Sequence, residues 1–165
     1  MTNSDALPEF QHIRDALEIP RDFSPEVLSA TEAVVSRDPL AAAWPDLQVI
    51  PFVTIDPPSS LDLDQAFFAA REGTGYLVRY AIDDIGFFVD RGSVIEQTAW
   101  QRGLTLYSPD LKTLLYPPRL SEDAASLLPN VPRPAIVFTF ALSARAEVKS
   151  CAITRAVIRS RAKLT

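Results

Sequence analysis

Three aspartates lie close together in the sequence, directly after an apolar segment. Asp56, Asp62 and Asp64 fall within nine residues, and residues 49–55 before them have the composition of a strand. Alternate side chains of an extended chain share a face, so Asp62 and Asp64 should point the same way. The two prolines after Asp56 can fold that residue back towards them. Three converging carboxylates repel one another unless a cation lies between them, and oxygen ligands suit Mg²⁺ or Mn²⁺ better than zinc.

The same stretch has a second interpretation, a surface turn without chemistry. Aspartate, proline and serine are favoured in turns, where they fix φ or form local hydrogen bonds. A pair of aspartates two residues apart is a weak motif by itself. The alternative is a magnesium site, which commonly serves phosphodiester chemistry because the cation is shared with substrate phosphates. The spacing of the aspartates leaves both interpretations open.

The composition is that of a folded globular chain. Of 165 residues, 47% are apolar and 22% charged, which excludes wholesale disorder. No apolar run approaches the roughly 18 residues of a membrane span, and the first residues lack the basic and apolar segments of a secretory signal. The single cysteine, Cys151, has no internal disulfide partner and is predicted to pack as a small residue of a strand. We therefore expect a cytoplasmic protein with no membrane partner.

Charge is distributed unevenly along the chain. The residues before Arg133 include 20 acidic and 9 basic side chains, whereas those from Arg133 onwards include 1 acidic and 7 basic, for a net charge of −5. A basic segment beside an acidic cluster suits an enzyme that holds cations and a polyanion. A solvated basic face of a strand or helix explains the same composition.

Hydrophobic periodicity and turn residues predict an α+β fold, in which a twisted antiparallel or mixed sheet is combined with short helices. Ser93 with Glu96 forms a capping box before a short helix that Gly103 ends, and Ser121 is predicted to cap another helix over 122–127. The predicted strands cover residues 49–55, 65–70, 76–82, 134–142 and 148–158.

The two ends of the chain differ from its middle. Residues 1–48 are predicted to form a loosely attached helical arm and linker, with an N-cap at Ser24, and residues 49–165 the main domain. Residues 160–165 contain no stop signal and have the composition of a helix that is just beginning. We therefore expect a partial domain, truncated at its C-terminus, with exposed apolar surface where the continuing chain or a partner would pack.

Six motifs occur in an order that resembles the catalytic (RNB) domain of the ribonuclease II/R exoribonucleases. The resemblance covers residues 50–165, and no cold-shock-type RNA-binding domain is evident before it. Its motifs are T-I-D-P-P-x-S-x-D-x-D-x-A from Thr54, Y-A-I-D-D-I from Tyr80, F-V-x-x-G-S from Phe88, R-G-L-T-L-Y-S-P from Arg102, L-S-E with S-L-L-P from Leu120, and S-R-A-K-L from Ser160.

The resemblance implies a 3′→5′ exoribonuclease that uses Mg²⁺ or Mn²⁺, up to two ions, to hydrolyse single-stranded RNA to nucleoside 5′-monophosphates. By that mapping Asp64 and Asp62 are catalytic. The metal ligands are Asp56, Asp62, Asp64 and, more weakly, Gln65, which stands where the common pattern has a fourth aspartate. Tyr107 matches a tyrosine that contacts the terminal nucleotide, by aromatic stacking that tolerates any base. The RNA-binding set is completed, more weakly, by Arg102, Arg159 and Arg161.

The resemblance also implies that much of the catalytic unit lies beyond this sequence. The second half of the family domain supplies RNA-channel helices and an arginine near the scissile phosphate, and neither is present here. A non-catalytic RNA- or protein-binding fragment that keeps part of the fold is therefore the alternative function. A different carboxylate–metal phosphohydrolase is a third possibility, but it leaves the motifs after Gly92 unexplained.

Overall fold

Five strands close into a barrel at the centre of the computed structural model, which describes residues 8–165. The barrel strands, in chain order, are β1 (Phe52–Ile55), β2 (Gln65–Glu72), β3 (Gly75–Asp83), β6 (Pro132–Leu142) and β7 (Val148–Leu164). A separate two-stranded hairpin consists of β4 (Leu106–Tyr107) and β5 (Lys112–Thr113). Neighbouring barrel strands are antiparallel except β7 and β1, which are parallel. The predicted α+β class with a mixed sheet is confirmed, and closure of the sheet into a barrel is an additional finding.

The β2–β3 hairpin depends on glycine at two positions of its turn. Gly73 has φ +57, a backbone conformation that glycine adopts freely but that is strained for residues with a side chain. A Cβ atom on Gly75 would lie 2.0 Å from the carbonyl oxygen of Leu142 on the adjacent strand β6. The turn therefore joins β2 and β3 tightly while β6 packs close beside it.

The helices are short and begin at the polar residues expected of them. They are α1 (Pro8–Ala16), α2 (Pro25–Val35) and α3 (Val94–Arg102), with 3₁₀ turns at Pro39–Ala41 and Ile85–Phe87 and a π-helical turn at Leu120–Ala124. Ser24 and Ser93 cap α2 and α3 by accepting from the backbone N–H three residues later, and Gly103 ends α3 with φ +78. Ser121 lies inside the π-helical turn instead of capping it. The prediction of a helix over 122–127 was therefore wrong about the first residue and about the kind of helix. In the described range 8–165, no helix has both the length and the apolar character needed to cross a membrane.

The last residues of the chain continue β7 and do not begin a helix, contrary to the sequence expectation. Phe52 pairs with Ser160 and Ile55 with Leu164 across the parallel β1–β7 contact. Pairing with a strand about a hundred residues away overrides the local helical preference of this segment. Ile55 and Leu164 are 66% and 47% exposed, so an apolar edge of the barrel faces solvent there.

The barrel interior is filled by small and branched side chains. Alanines from four strands lie in it beside larger residues, as a narrow barrel requires. The buried members are Ile50, Phe52, Leu63, Ala66, Ala81, Leu127, Ala135, Val137, Ala156 and Ile158. The first half of β7, residues 148–155, is exposed throughout, so Cys151 is exposed and the prediction that it packs inside was wrong.

The N-terminal arm is bound firmly to the main domain from α1 onwards, which contradicts the expected loose attachment. Arg14 on α1 forms an ion pair with Asp110 in the β4–β5 turn at 2.8 Å, and their side chains are 2% and 0% exposed. Arg37 binds Asp90 and the backbone carbonyl of Phe87. These partners are fifty or more residues apart in sequence, so no local pattern predicts them. The first seven residues of the predicted arm lie outside the described residues.

Candidate active site

The loop between β1 and β2, residues 56–64, carries the three aspartates. At its start the backbone N–H of Asp56 donates to the carbonyl of Leu164 at 2.9 Å, next to the parallel β1–β7 pair. At its end the carbonyl of Asp64 accepts from the backbone N–H of Asp83 at 2.9 Å. The loop is therefore anchored to β7 at one end and to β3 at the other, both of which are barrel strands.

Ser126 fixes the second half of this loop. Its hydroxyl donates to the carbonyl of Leu61 at 2.6 Å and accepts from the backbone N–H of Leu63 at 2.9 Å. The side chain of Leu63 is 1% exposed and packs in the barrel core. Because alternate side chains point to opposite sides, burying Leu63 turns Asp62 and Asp64 outwards together, as their spacing predicts.

Lys163 fixes the first half of the loop. Its ammonium donates to the carbonyls of Pro57, Pro58 and Ser60 at 3.3, 2.7 and 3.0 Å. An ammonium has three N–H donors, so these three carbonyls use all of them. Lys163 therefore sets the path of the loop in this structure instead of facing solvent.

The loop aspartates influence one another electrostatically. Burial, and then the negative charge of Asp62, raises the pKa of Asp64 above the ordinary aspartate value; Lys112 opposes this rise and Asp56 adds to it. In residues 8–165, however, no three acidic, histidine or cysteine side chains are arranged to hold a metal ion between them. The structure brings the three carboxylates into one neighbourhood without assembling a ligand set, and their metal-binding role stays a prediction.

Lys112 is a member of this neighbourhood that the sequence analysis missed. It lies on β5, and its Nζ atom is 2.5 Å from Oδ2 of Asp62 and 3.7 Å from Oε1 of Glu122. Burial alone lowers the pKa of Lys112, but its hydrogen bond and ion pair with Asp62 outweigh burial and raise the pKa. Lys112 is fifty residues from Asp62 in sequence, and no local signal predicts the contact.

Asp83 and Asp84, at the end of β3, add two further carboxylates with different surroundings. Burial, reinforced by the charges of Asp64 and Asp84, raises the pKa of Asp83 to about 7. Asp84 instead binds Arg155 through both oxygens, at 2.6 and 3.0 Å, and Arg155 lies 4.8 Å from the centre of the Trp44 ring. Asp83 is therefore the carboxylate of this region whose charge changes near neutral pH.

Gln65, at the start of β2, is engaged with a neighbouring strand. Its amide oxygen accepts a hydrogen bond from the hydroxyl of Tyr80 on β3. A carbonyl oxygen has a second lone pair, so this contact leaves one for another partner. Weak metal binding by Gln65 stays a prediction.

The predicted RNA-binding residues have unlike environments. Tyr107 on β4 is 75% exposed, and Nζ of Lys112 lies 5.7 Å from its ring centre. The guanidinium of Arg102 donates to the carbonyls of Leu114, Asp22 and Pro20 and lies 4.0 Å from the Phe23 ring centre. Arg159 donates to the side-chain oxygen of Gln48, and Arg161 donates to the backbone carbonyl of the same residue. The ring of Tyr107 is accessible for stacking. Arg102 and Arg159 are partly buried in contacts within the fold, whereas Arg161 is exposed and makes one hydrogen bond.

The donor chemistry of the aspartate loop fits a hard divalent cation. All candidate ligands are oxygen atoms, which Mg²⁺ and Mn²⁺ prefer. Burial contributes most to the raised pKa of Asp64 and the charge of Asp62 adds to it, so a cation beside these carboxylates would favour their ionised forms. The residues best placed to hold such a cation are Asp56, Asp62 and Asp64.

The fold is a mixed five-stranded barrel whose β1–β2 loop carries three aspartates, followed by a short hairpin and a π-helical turn. Residues 45–165 match the RNB domain. The chain therefore belongs to the RNB domain family. The match begins four residues before the predicted domain boundary at residue 49.

Similar proteins include ribonucleases of that family. The chain is 32% identical over 123 residues to Ribonuclease R of Buchnera aphidicola subsp. Acyrthosiphon pisum, which is 73% of this chain and 17% of that protein. It is 38% identical over 100 residues to Exoribonuclease 2 of Pectobacterium atrosepticum, which is 60% of this chain and 16% of that protein. The chain thus spans about a fifth or less of the length of these relatives.

Two solved structures extend the comparison. RNase R of Mycoplasma genitalium in complex with double-stranded RNA aligns with 99% of this chain and 29% of its own length, at a TM-score of 0.90 and 26% identity. Yeast Ssd1, described as a pseudonuclease, aligns with 88% of this chain at a TM-score of 0.67 and 15% identity, which shows a shared fold alone. The fold is therefore found both in a ribonuclease and in a protein described as a pseudonuclease.

Proposed function

We propose that this chain supplies the carboxylate side of a Mg²⁺- or Mn²⁺-dependent 3′→5′ exoribonuclease that hydrolyses single-stranded RNA to nucleoside 5′-monophosphates. The observation that carries the proposal is the aspartate loop. Ser126 and Lys163 hold residues 56–64 so that Asp62 and Asp64 face the same side, in a family whose relatives are ribonucleases.

Each residue has a role that follows from its position. Asp56, Asp62 and Asp64 would hold the cation, which when bound supplies a water of lowered pKa and positive charge for the phosphate oxygens. Burial and the charges of Asp62 and Asp56 raise the pKa of Asp64, so this carboxylate gains most from a bound cation and is the one we assign to the chemical step. The exposed ring of Tyr107 offers a stacking surface for the terminal base.

An exonuclease assay tests the proposal directly. The substrate is a 5′-labelled single-stranded RNA, incubated with the 165-residue chain and Mg²⁺ or Mn²⁺. The expected result is stepwise shortening from the 3′ end that Asp64→Asn abolishes. The matched control Glu72→Gln removes one negative charge at the exposed β2–β3 turn and should leave the shortening unchanged.

A non-catalytic binding module is the second candidate. It is favoured by the absence, among residues 8–165, of three side chains arranged to hold a metal ion, and by the pseudonuclease that shares the fold. Absence of shortening by chain that circular dichroism shows to be folded would contradict activity of this chain alone. It would support either an incomplete exoribonuclease, which needs the rest of the catalytic domain, or this candidate.

A further inference from the structure

Lys112 places a positive charge inside the acidic neighbourhood. Its ammonium contacts Asp62 at 2.5 Å and approaches Glu122 at 3.7 Å. Among the ion pairs formed within residues 8–165, Asp62 is the one loop aspartate that binds a cationic side chain. Asp62 is also a predicted ligand of the divalent cation. The ammonium and a metal ion therefore require the same carboxylate.

The ion pair is accessible enough to exchange. The side chains of Lys112, Asp62 and Glu122 are 24%, 25% and 26% exposed, so each keeps contact with water. A lysine side chain has four rotatable bonds and adopts many rotamers, so it can leave Asp62 without moving the β5 backbone. Because the pair is partly buried, breaking it costs more than breaking a surface ion pair, and a metal ion that binds Asp62 must offset that cost.

The electrostatics favour replacement by an ion of higher charge. Lys112 forms its ion pair with Asp62, and none of the ion pairs formed within residues 8–165 includes Asp56 or Asp64, so one ammonium leaves part of the negative charge of the loop without a cationic partner. A divalent cation shared by the loop carboxylates balances more of that charge than a single ammonium bonded to Asp62. Metal binding must nevertheless break the Lys112 contact and leave a second positive charge nearby.

We propose that Lys112 is an internal counter-cation for Asp62, which a divalent cation displaces, so that Lys112 lowers the affinity of the aspartate loop for metal. This inference rests on the proposed metal-binding role of the loop. Lys112 is a positioning residue in this account, because it acts through Asp62. Lys112 keeps Asp62 in place without metal and raises the metal concentration that binding to the loop requires.

Metal affinity of the folded chain, without RNA, is the test. Mn²⁺ is titrated into wild-type protein and into Lys112→Met, and free Mn²⁺ is followed by its electron paramagnetic resonance signal. Removing the competing ammonium should tighten Mn²⁺ binding by about tenfold, because an ion pair and a repulsion between cations are both removed. Lys112→Arg keeps the positive charge and should bind Mn²⁺ no more tightly than wild type.

Two controls keep the result interpretable. Lys149→Met makes the same change of charge on the exposed half of β7 and should leave Mn²⁺ affinity unchanged. Lys112→Gln is a second neutral variant for the case in which the methionine variant does not fold, as judged by circular dichroism.

The outcomes separate this inference from the proposed function. Equal Mn²⁺ affinity in wild type and Lys112→Met, or weaker binding in the variant, would overturn the exchange while leaving the metal site standing. A tightening of the same size in Lys149→Met would also overturn it, because the effect would then be one of net charge. Absence of Mn²⁺ binding in wild type and in both neutral variants would overturn the inference together with the proposed metal site.

Discussion

Asp83 and Asp84 are adjacent at the end of β3, yet their carboxylates have different surroundings. Asp84 forms a two-oxygen ion pair with Arg155, whereas Asp83 faces Asp64. Burial and its acidic neighbours raise the pKa of Asp83 to about 7. In the unfolded chain the same side chain would titrate near its ordinary value of 3.8. Folding therefore favours the protonated form of Asp83.

The sign of the pH effect follows from that difference. Between pH 3.8 and about 7 the folded state holds a proton on Asp83 that the unfolded state has released, so stability falls as pH rises through this window. At 1.36 kcal/mol per pKa unit, this group should cost about 2.5 kcal/mol of unfolding free energy between pH 5 and pH 8. Asp83→Asn should remove that slope. Urea unfolding at several pH values, in EDTA so that no metal binds, measures it.

The matched control for Asp83 is Glu72→Gln, because Glu72 is exposed at the hairpin turn. That variant should keep the pH dependence of wild type. An Asp83→Asn protein whose stability falls with pH as steeply as wild type would show that another group titrates in this window.

At the scale of elements, the aspartate loop depends on a strand that arrives from the far end of the chain. Lys163 on β7 binds three carbonyls of the loop, and the backbone of Leu164 binds Asp56. Lys163→Met removes the donor and leaves three carbonyls without it, which should cost about 1–2 kcal/mol of unfolding free energy. Hydrogen exchange should quicken in peptides that cover residues 59–64. Mass spectrometry of deuterated peptides measures both the site and the size of this change.

Lys149→Met serves again as the control, because Lys149 lies on the exposed half of the same strand. It should leave exchange in the loop unchanged. Equal protection of the loop in wild type and Lys163→Met would mean that Ser126 and the barrel strands suffice to hold it.

The sequence predicted the elements whose causes are local. The β2–β3 hairpin follows from alternation around a glycine turn, and the start of α3 follows from Ser93 and Glu96. The outward direction of Asp62 and Asp64 follows from the two-residue period of extended chain. In each case the residues that determine the structure lie within about twenty positions of one another.

The features that were missed join residues far apart in the chain. β7 closes the barrel against β1, which turned an expected helix start at Ser160 into a strand. Arg14 is buried against Asp110, 96 residues away, and this pair attaches the arm to the hairpin that carries Lys112. Lys112 in turn meets Asp62. Composition and periodicity do not predict such pairings, because many basic residues of the chain could pair with many acidic ones.

At the scale of the whole molecule, the basic C-terminal segment serves the fold more than the surface. Of its seven basic side chains, most bind groups within the described chain, and Arg145 and Lys149 lie exposed on the β6–β7 hairpin. The occupied residues are Arg133, Arg155, Arg159, Arg161 and Lys163. Composition left two interpretations of this basic segment open, an RNA-facing surface and a solvated surface. The structure shows a third arrangement, in which most of these cations hold loops and strands in place.

That arrangement predicts weak RNA binding by this chain with a shallow salt dependence. The net charge is −5, and of the seven basic side chains in the C-terminal segment Arg145 and Lys149 are the exposed ones without a side-chain contact within residues 8–165. The slope of log affinity against log salt for single strands is about −0.7 for each phosphate neutralised, so about two contacts give a slope near −1.4. Fluorescence anisotropy with a labelled single-stranded RNA, between low and physiological salt, measures this slope. Tyr107→Ala should weaken binding at every salt concentration without changing the slope, because stacking releases no counterions. A slope steeper than about −3 would contradict this prediction. It would show that cations besides Arg145 and Lys149 reach the RNA, such as Arg159 and Arg161 released from Gln48 or the exposed Arg71 and Arg91.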